Sequence, residues 1–504
     1  MVNVLGVSCS LRNARYGQGS DRLIAEVRAL ADEAHLGAYL ETQTKIRLDD
    51  FIAAGRGEDL SFDEIYRRLR KSRNDRGLSN SEAALVAGLW GACQSGADIA
   101  HCGLGDYFPM TGNAVNLDDL RERVLRSDAI LISGPVYFGD RGSVAQEFID
   151  FLYNDRACAA HVRDRVYGGI AVGAKRNGGQ ETTLIYQIID ATNMNMLAVG
   201  NDTETTSQYG GTAVAGDVGT FHSDKYGIKT SIGTGRRVAR TSKMLELGRS
   251  NKLRDKARIG IWLLQDTPDH RGRNLMLEFG AEVMAANHGV DIRVVDCTTE
   301  KIYRCIACDI CPIRVGGPDE YRCIIEASGD LFHEKHHELI DFDALLIGAY
   351  SPIDRREVSS VYQRFTERTR YLRRDEYLIG DRLIAPFVIS EVNANQNLHI
   401  RMLTSFVRHH TVLHHPLIGM EFQRQVLNWP MLVEQGKHFA RNAIDLTVGR
   451  LITAEEEIGA HTYNPVGYVI SREKRVEDDA TGRIQQAEET RQLRSVETRR
   501  QRIA

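Results

Sequence analysis

Short apolar runs and longer amphipathic stretches alternate along the chain. "VNVLGVS" is followed by "SEAALVAGLWGACQSGADI" and then by "AILISGPVYFG"; later "ARIGIWLLQ" is followed by "LMLEFGAEVMAANHGVDIRVVD" and "ALLIGAYSPI". Continuous apolar runs bounded by turn residues read as strands buried on both faces. Helices of about ten to fifteen residues between them imply right-handed βαβ crossovers and a parallel sheet covered on both sides. The pattern occurs twice, so the expected architecture is α/β, with two doubly wound parallel-sheet domains in tandem over residues 1–245 and 256–452. Their joint falls in the charged "KMLELGRSNKLRDKAR" of residues 243–258, and residues 453–504 read as a polar, charged C-terminal tail.

Composition adds limits. A chain of 504 residues exceeds what one core usually organises, which agrees with two domains. With 42% hydrophobic and 26% charged residues and a formal charge of -4, no bulk electrostatic argument points to nucleic acid or to an anionic membrane. The opening "MVNVLGVSCS" lacks the basic and apolar regions of a signal peptide. No apolar run nears the roughly 18 residues that span a bilayer. A soluble, cytoplasmic protein with no nucleic-acid or membrane partner is expected. Nine cysteines, an odd number, argue for reduced thiols or metal ligation over a disulfide framework. Cys9, Cys93, Cys102, Cys158 and Cys297 stand apart and read as small buried hydrophobes.

The candidate chemistry lies at strand ends, where open α/β sheets bind ligands. After the first strand, "SCSLRN" offers Ser8, Ser10 and Arg12 to a phosphate at a helix N-terminus. Pro135, Tyr137 and Gly139 close a second strand, and Asn177, Gly178 and Gly179 give a third loop that can approach a flat ring closely. The motifs "GVSCSLR", "SGPVYFG", "GGQET" and "DKYGIKTSIGTGRRVAR", spread over most of residues 1–240, resemble the NAD(P)H-dependent FMN reductase family, which has a flavodoxin-like fold. By that resemblance Ser8, Ser10 and Arg12 hold the FMN phosphate. Pro135, Val136, Tyr137 and Phe138 border the isoalloxazine ring, and Gly178, Gly179 and Gln180 donate to its edge. The chain departs from the family in the phosphate loop, whose continuation begins only at Leu78. Residues 13–77 therefore read as an insertion, helical by periodicity, after which Ser79, Asn80 and Ser81 complete the phosphate cradle.

The second half has Asp266 and Asp269 where a phosphate loop would lie, and carboxylates repel a phosphate dianion; no FMN is expected there. It carries "CIACDIC" instead, with Cys305, Cys308 and Cys311, and then Cys323. Three thiolates from one tight loop and a fourth from a returning segment suit a cluster; structural zinc, a dithiol redox pair and free thiols are the competing readings. The spacing and its place in the fold resemble the iron–sulfur flavoproteins of the same superfamily over residues 256–452, and that resemblance implies a 4Fe–4S cluster. His409, His410, His414 and His415 collect in "VRHHTVLHHPLIGM" and read as a polar edge more than as metal ligands.

The functional expectation is an NAD(P)H-dependent, FMN-containing oxidoreductase, with Tyr137 and Arg176 beside the ring. Its acceptor is a small molecule or a redox protein, reached directly or through the cluster. The alternative is a non-catalytic electron-transfer or scaffold subunit. The absence of a "GxGxxG" after a strand fits reductases in which nicotinamide stacks on flavin, and the resemblance implies a homo-oligomer.

Overall fold

The computed structural model describes residues 2–10, 19–53, 55, 59–71, 77–109, 112–202, 208–252, 255–308, 323–351, 356–373, 379–392 and 397–456. The chain divides into two units, Met1–Lys243 and Met244–Ala504.

In the first unit β1 (Asn3–Ser8) lies between β2 (Asp98–Gly103) and β3 (Ala129–Tyr137), and β3 pairs with β5 (Val166–Gly173), all parallel. The far edge is shared by β6 (Leu197–Ala198) and β7 (Gly211–Val214), both parallel to β5. Counted along the chain this is the strand order 2-1-3-4-5 of flavodoxin-like sheets. The central strands are apolar throughout because helices cover both faces; β5 is buried at every residue.

Three helices, α1 (Gly19–Arg28), α2 (Glu33–Ala53) and α3 (Phe62–Lys71), stand between β1 and α4 (Asn80–Gln94). They lie within residues 13–77, where the sequence pattern predicts a helical insertion. Helix α4 is buried from Ser81 to Ala92, the signature of a helix enclosed on all sides. It makes no room for side chains where α9 (Lys225–Ser250) crosses it. A Cβ on Gly235 would lie 1.7 Å from the Gly88 carbonyl oxygen, and one on Gly91 2.3 Å from that of Ile232.

In the second unit β8 (Ala257–Leu263) lies between β9 (Val290–Asp296) and β10 (Ala344–Ser351), and β10 pairs with β11 (Leu383–Glu391). Both β12 (Val412–Leu413) and β13 (Leu417–Phe422) are parallel to β11, and β13 turns back antiparallel into β14 (Gln425–Val426). The order along the chain is again 2-1-3-4-5. One side of this sheet packs around Trp262, with Phe365 at 5.4 Å edge-on and Phe406 at 6.2 Å. The helix Lys225–Ser250 runs into the segment expected to be the joint, and the last helix, Trp429–Glu456, passes residue 452; residues 457–504 lie outside the described residues.

Candidate functional site: a strand-end cradle

The loops after β1, β3 and β5 all leave the carboxyl edge of the first unit's sheet. Ser8 ends β1 fully buried, and its Oγ has no hydrogen-bond partner among the described residues. A buried hydroxyl left unpaired costs about 1–3 kcal/mol, so Ser8 marks a place where an acceptor or donor is missing. Ser10 is buried close by, whereas Arg12 lies outside the described residues. Ser79 caps α4, its hydroxyl accepting from Glu82 N at 3.3 Å, with Asn80 and Ser81 opening the helix. The Ser81 carbonyl accepts from the Ser133 hydroxyl at 2.7 Å, which fixes the helix start against the middle of the sheet. The N-terminus of α4 thus presents backbone N–H groups and a positive dipole end beside the β1 loop, the arrangement that receives a phosphate.

The β3 loop is a hairpin. Tyr137 pairs with Asp140 and Val136 with Arg141 of β4 (Asp140–Arg141), and Phe138 and Gly139 turn at φ +53° and +82°. Arg141 bridges Asp140 and Asp190 of α8 (Gln180–Asn193), pinning the hairpin. Tyr137 and Phe138 are exposed, and the Tyr137 ring runs along Gly142. The β5 loop meets this hairpin at its glycines. Gly179, at φ +97°, has no space for a side chain, since a Cβ there would lie 2.7 Å from Gly139 Cα and 3.2 Å from Val136 Cγ1. Gly179 and the Val136–Gly139 turn therefore form one wall.

Two expected ring contacts are engaged elsewhere. Gln180 is buried and its amide donates to Lys175 O at 2.8 Å and to Ala213 O at 3.2 Å, so it holds the β5 loop to β7. Arg176 donates to Thr212 O at 2.8 Å, pairs with Asp224 and lies 4.6 Å over the Tyr226 ring. Both act as struts behind the wall. Sequence reading missed a polar chain beside α4: His101 Nε2 lies 3.1 Å from Glu82 Oε1 and its Nδ1 3.0 Å from Ser20 Oγ. "SNSE" signals a helix start with Glu82 in its first turn, but nothing in the sequence ties it to β2 or to α1.

At the corresponding edge of the second unit, Asp266 follows β8 and α10 (Arg271–Ala286) begins beside it. The Asp266 carboxylate accepts from Thr267 N at 2.8 Å, Gly272 N at 2.7 Å and Arg273 N at 2.9 Å. The anion position at this helix N-terminus is filled by the chain's own carboxylate. The Thr267 hydroxyl, donating at 2.6 Å, and then Arg424 at 2.5 Å lower the pKa of the Asp269 carboxyl to about 2.

The cysteine loop rises from a closed stem. Lys301 bridges Asp330, and the Asp330 carboxylate takes both Nη groups of Arg368 at 2.8 Å, while Arg368 also donates to Tyr303 O at 3.1 Å. Both side chains are buried, and Cys323 borders the guanidinium. Removing one partner of such a pair costs about 3–5 kcal/mol. Cys305, Cys308 and Cys323 are half-buried free thiols and Cys311 lies outside the described residues. Among the described residues no three His, Cys, Asp or Glu side chains gather as a metal-holding group, so the three placed cysteines do not themselves make one. Of the solitary cysteines, Cys9, Cys102, Cys158 and Cys297 are buried and Cys93 is half-buried; burial pushes the Cys102 thiol up to about 12. Within the histidine run, His409 is buried and stacked on Phe406, His414 is buried against His438 and Phe439, and His410 and His415 are half-buried.

Residues 69–209 match the family described as NADPH-dependent FMN reductase. An iron–sulfur flavoprotein of Methanocaldococcus jannaschii is 34% identical over 131 residues, which make 26% of this chain and 67% of that protein. One from Archaeoglobus fulgidus is 26% identical over 136 residues, 26% of this chain and 68% of that protein. A solved flavone reductase overlays with a TM-score of 0.28 and 12% identity, covering 49% of this chain and 64% of that one. No described helix is long and apolar enough to cross a membrane. With a flavodoxin-like first unit, the chain carries an NADPH-dependent FMN reductase domain over residues 69–209 and belongs to the iron–sulfur flavoprotein family.

Proposed function

We propose that the first unit binds one FMN at the cradle of the β1, β3 and β5 loops and that the protein is an NAD(P)H-dependent oxidoreductase passing electrons to a separate acceptor. The observation that carries this reading is the joint geometry of a buried, unpartnered Ser8 hydroxyl beside the α4 N-terminus and a Gly139–Gly179 contact that leaves one flat wall. Bound there, FMN supplies hydride acceptance and onward electron transfer, while the protein supplies position and electrostatics. Ser8, Ser10 and the Ser79–Ser81 turn would hold the phosphate. Pro135, Val136, Tyr137 and Phe138 would border the ring, and Gly178 and Gly179 would meet its edge. The exposed side chains of Tyr137 and Phe138 leave the outer side of that wall open to an incoming nicotinamide or acceptor.

The repeated strand order supports a tandem of flavodoxin-like domains, the second without a flavin of its own because Asp266 already occupies its helix N-terminus. The cysteine loop of that domain is where a cluster would belong, in keeping with the name of the relatives, and the reduction of flavin proposed here does not depend on it. Protein purified without air should be yellow, release FMN on denaturation and bleach on addition of NADH or NADPH. A colourless protein that cannot be reconstituted with FMN sinks the proposal, and bleaching only by a reduced protein partner makes the chain a carrier instead. Iron and zinc content of the same sample decides the cysteine loop separately.

A further inference from the structure

Arg368 ends the helix Arg356–Arg368 with its side chain 1% exposed, and Asp330 opposite it is fully buried. The guanidinium meets the carboxylate end-on. Nη1 and Nη2 each donate to one carboxylate oxygen at 2.8 Å, and Nη1 also reaches Tyr303 O at 3.1 Å. Asp330 accepts in addition from Tyr303 N and His333 N, both at 3.2 Å, and the guanidinium carbon lies 5.0 Å from the centre of the Phe332 ring. The ion pair is therefore complete without the Nε–H of Arg368. That group is buried and has no acceptor among the described residues, a costly state for an N–H of a charged side chain.

The sulfur of Cys323 is in hydrogen-bonding contact with the same guanidinium, and Cys323 packs against the aromatic core around Trp262. Tyr303 and Cys323 flank the loop that carries Cys305 and Cys308, so one side chain ties both of its ends. Cys305 and Cys308 do not gather with Cys323 into a trio, and the place of Cys323 is fixed by Arg368 instead. A sulfur that binds a metal carries negative charge and accepts a hydrogen bond more strongly than a thiol does. Groups that donate to such ligands orient them and offset their charge. A guanidinium is charged at every pH the protein meets. The spare Nε–H and the sulfur beside it thus fit a metal-bound Cys323.

We propose that Arg368 is a positioning residue that holds Cys323 as a ligand for a thiophilic metal centre. The inference rests on the reading of the cysteine loop as a metal site and is independent of the flavin. The experiment titrates Co(II) into the full chain, reduced and stripped of metal, and follows thiolate-to-cobalt absorption. Arg368→Lys keeps a cation for Asp330 but lacks the fork that reaches Tyr303 and Cys323, and a loss of about 10- to 100-fold in cobalt affinity is expected. Asp330→Asn breaks the same ion pair while leaving the guanidinium beside Cys323. It should lower the urea midpoint and leave cobalt affinity unchanged. In the wild type, cobalt should protect Cys323 from iodoacetamide, read by peptide mass spectrometry, a measurement that needs no variant. Parallel losses of affinity in the two variants would mark a merely structural pair and overturn the proposal. Unchanged affinity in Arg368→Lys, or alkylation of Cys323 in the cobalt-loaded wild type, overturns it as well. A wild type that takes up no cobalt removes the metal reading, and the inference with it.

Discussion

Gly179 shows how little a single residue can vary at this site. Its φ of +97° disfavours any L side chain, and a Cβ there would press on the Gly139 backbone, which cannot rotate aside. Gly179→Ala should therefore separate the two loops, costing about 1–3 kcal/mol of stability and more than tenfold in FMN affinity. Chemical denaturation and flavin titration measure the two effects; an unchanged affinity would show that the wall is not where the ring rests. His409 gives a pH prediction. Burial lowers its pKa well below the ordinary value, and the neighbouring cations Arg373, His410 and Arg408 act in the same direction. The unfolded chain takes up a proton near pH 6.5 that the folded one refuses, so the stability from His409 is present above that pH. It falls by up to about 1.4 kcal/mol per unit as pH drops below it. Urea midpoints between pH 7 and pH 5 should fall less steeply for His409→Gln than for the wild type.

Among elements, α4 and α9 set the tightest tolerance. Their backbones touch at Gly88, Gly91 and Gly235, so Gly235→Ala must push two helices apart and should destabilise the first unit by about 3 kcal/mol. A reduced unfolding temperature with intact helical circular dichroism below it would be the expected record; a neutral effect would mean the helices slide freely. Elements were also what the sequence expressed best. Apolar runs, helix periodicity and loop glycines placed β1, β3, β5 and the inserted helices α1 and α3, though not α2 between them, because burial and turn geometry are local demands. Partnerships across long separations were not legible. Nothing near Gln180 or Arg176 announces Ala213 or Asp224 as a partner, and the Glu82–His101–Ser20 chain joins three separate stretches. The same holds for the histidine run, where only packing shows that His409 and His414 turn inward.

For the molecule as a whole, two units of the same strand order carry unequal strand-end loops. One flavin per chain is expected, from absorbance against protein mass, and a ratio near two would contradict the difference assigned to Asp266. Added FMN should stabilise the first unit by RT ln(1 + [L]/Kd) and leave the second where it is. Unfolding followed by hydrogen exchange in peptides of each unit reads that asymmetry directly.

The Asp266 carboxylate has one more consequence. An anion carried on the same backbone as the N–H groups it binds is present at an effective concentration of millimolar or more, set by its tether and not by solution. A free phosphate compound would have to outcompete that level before it could enter, and dilution never relieves the competition. The second unit is thus permanently saturated with its own ligand, and any part it takes in redox chemistry must be played by other residues.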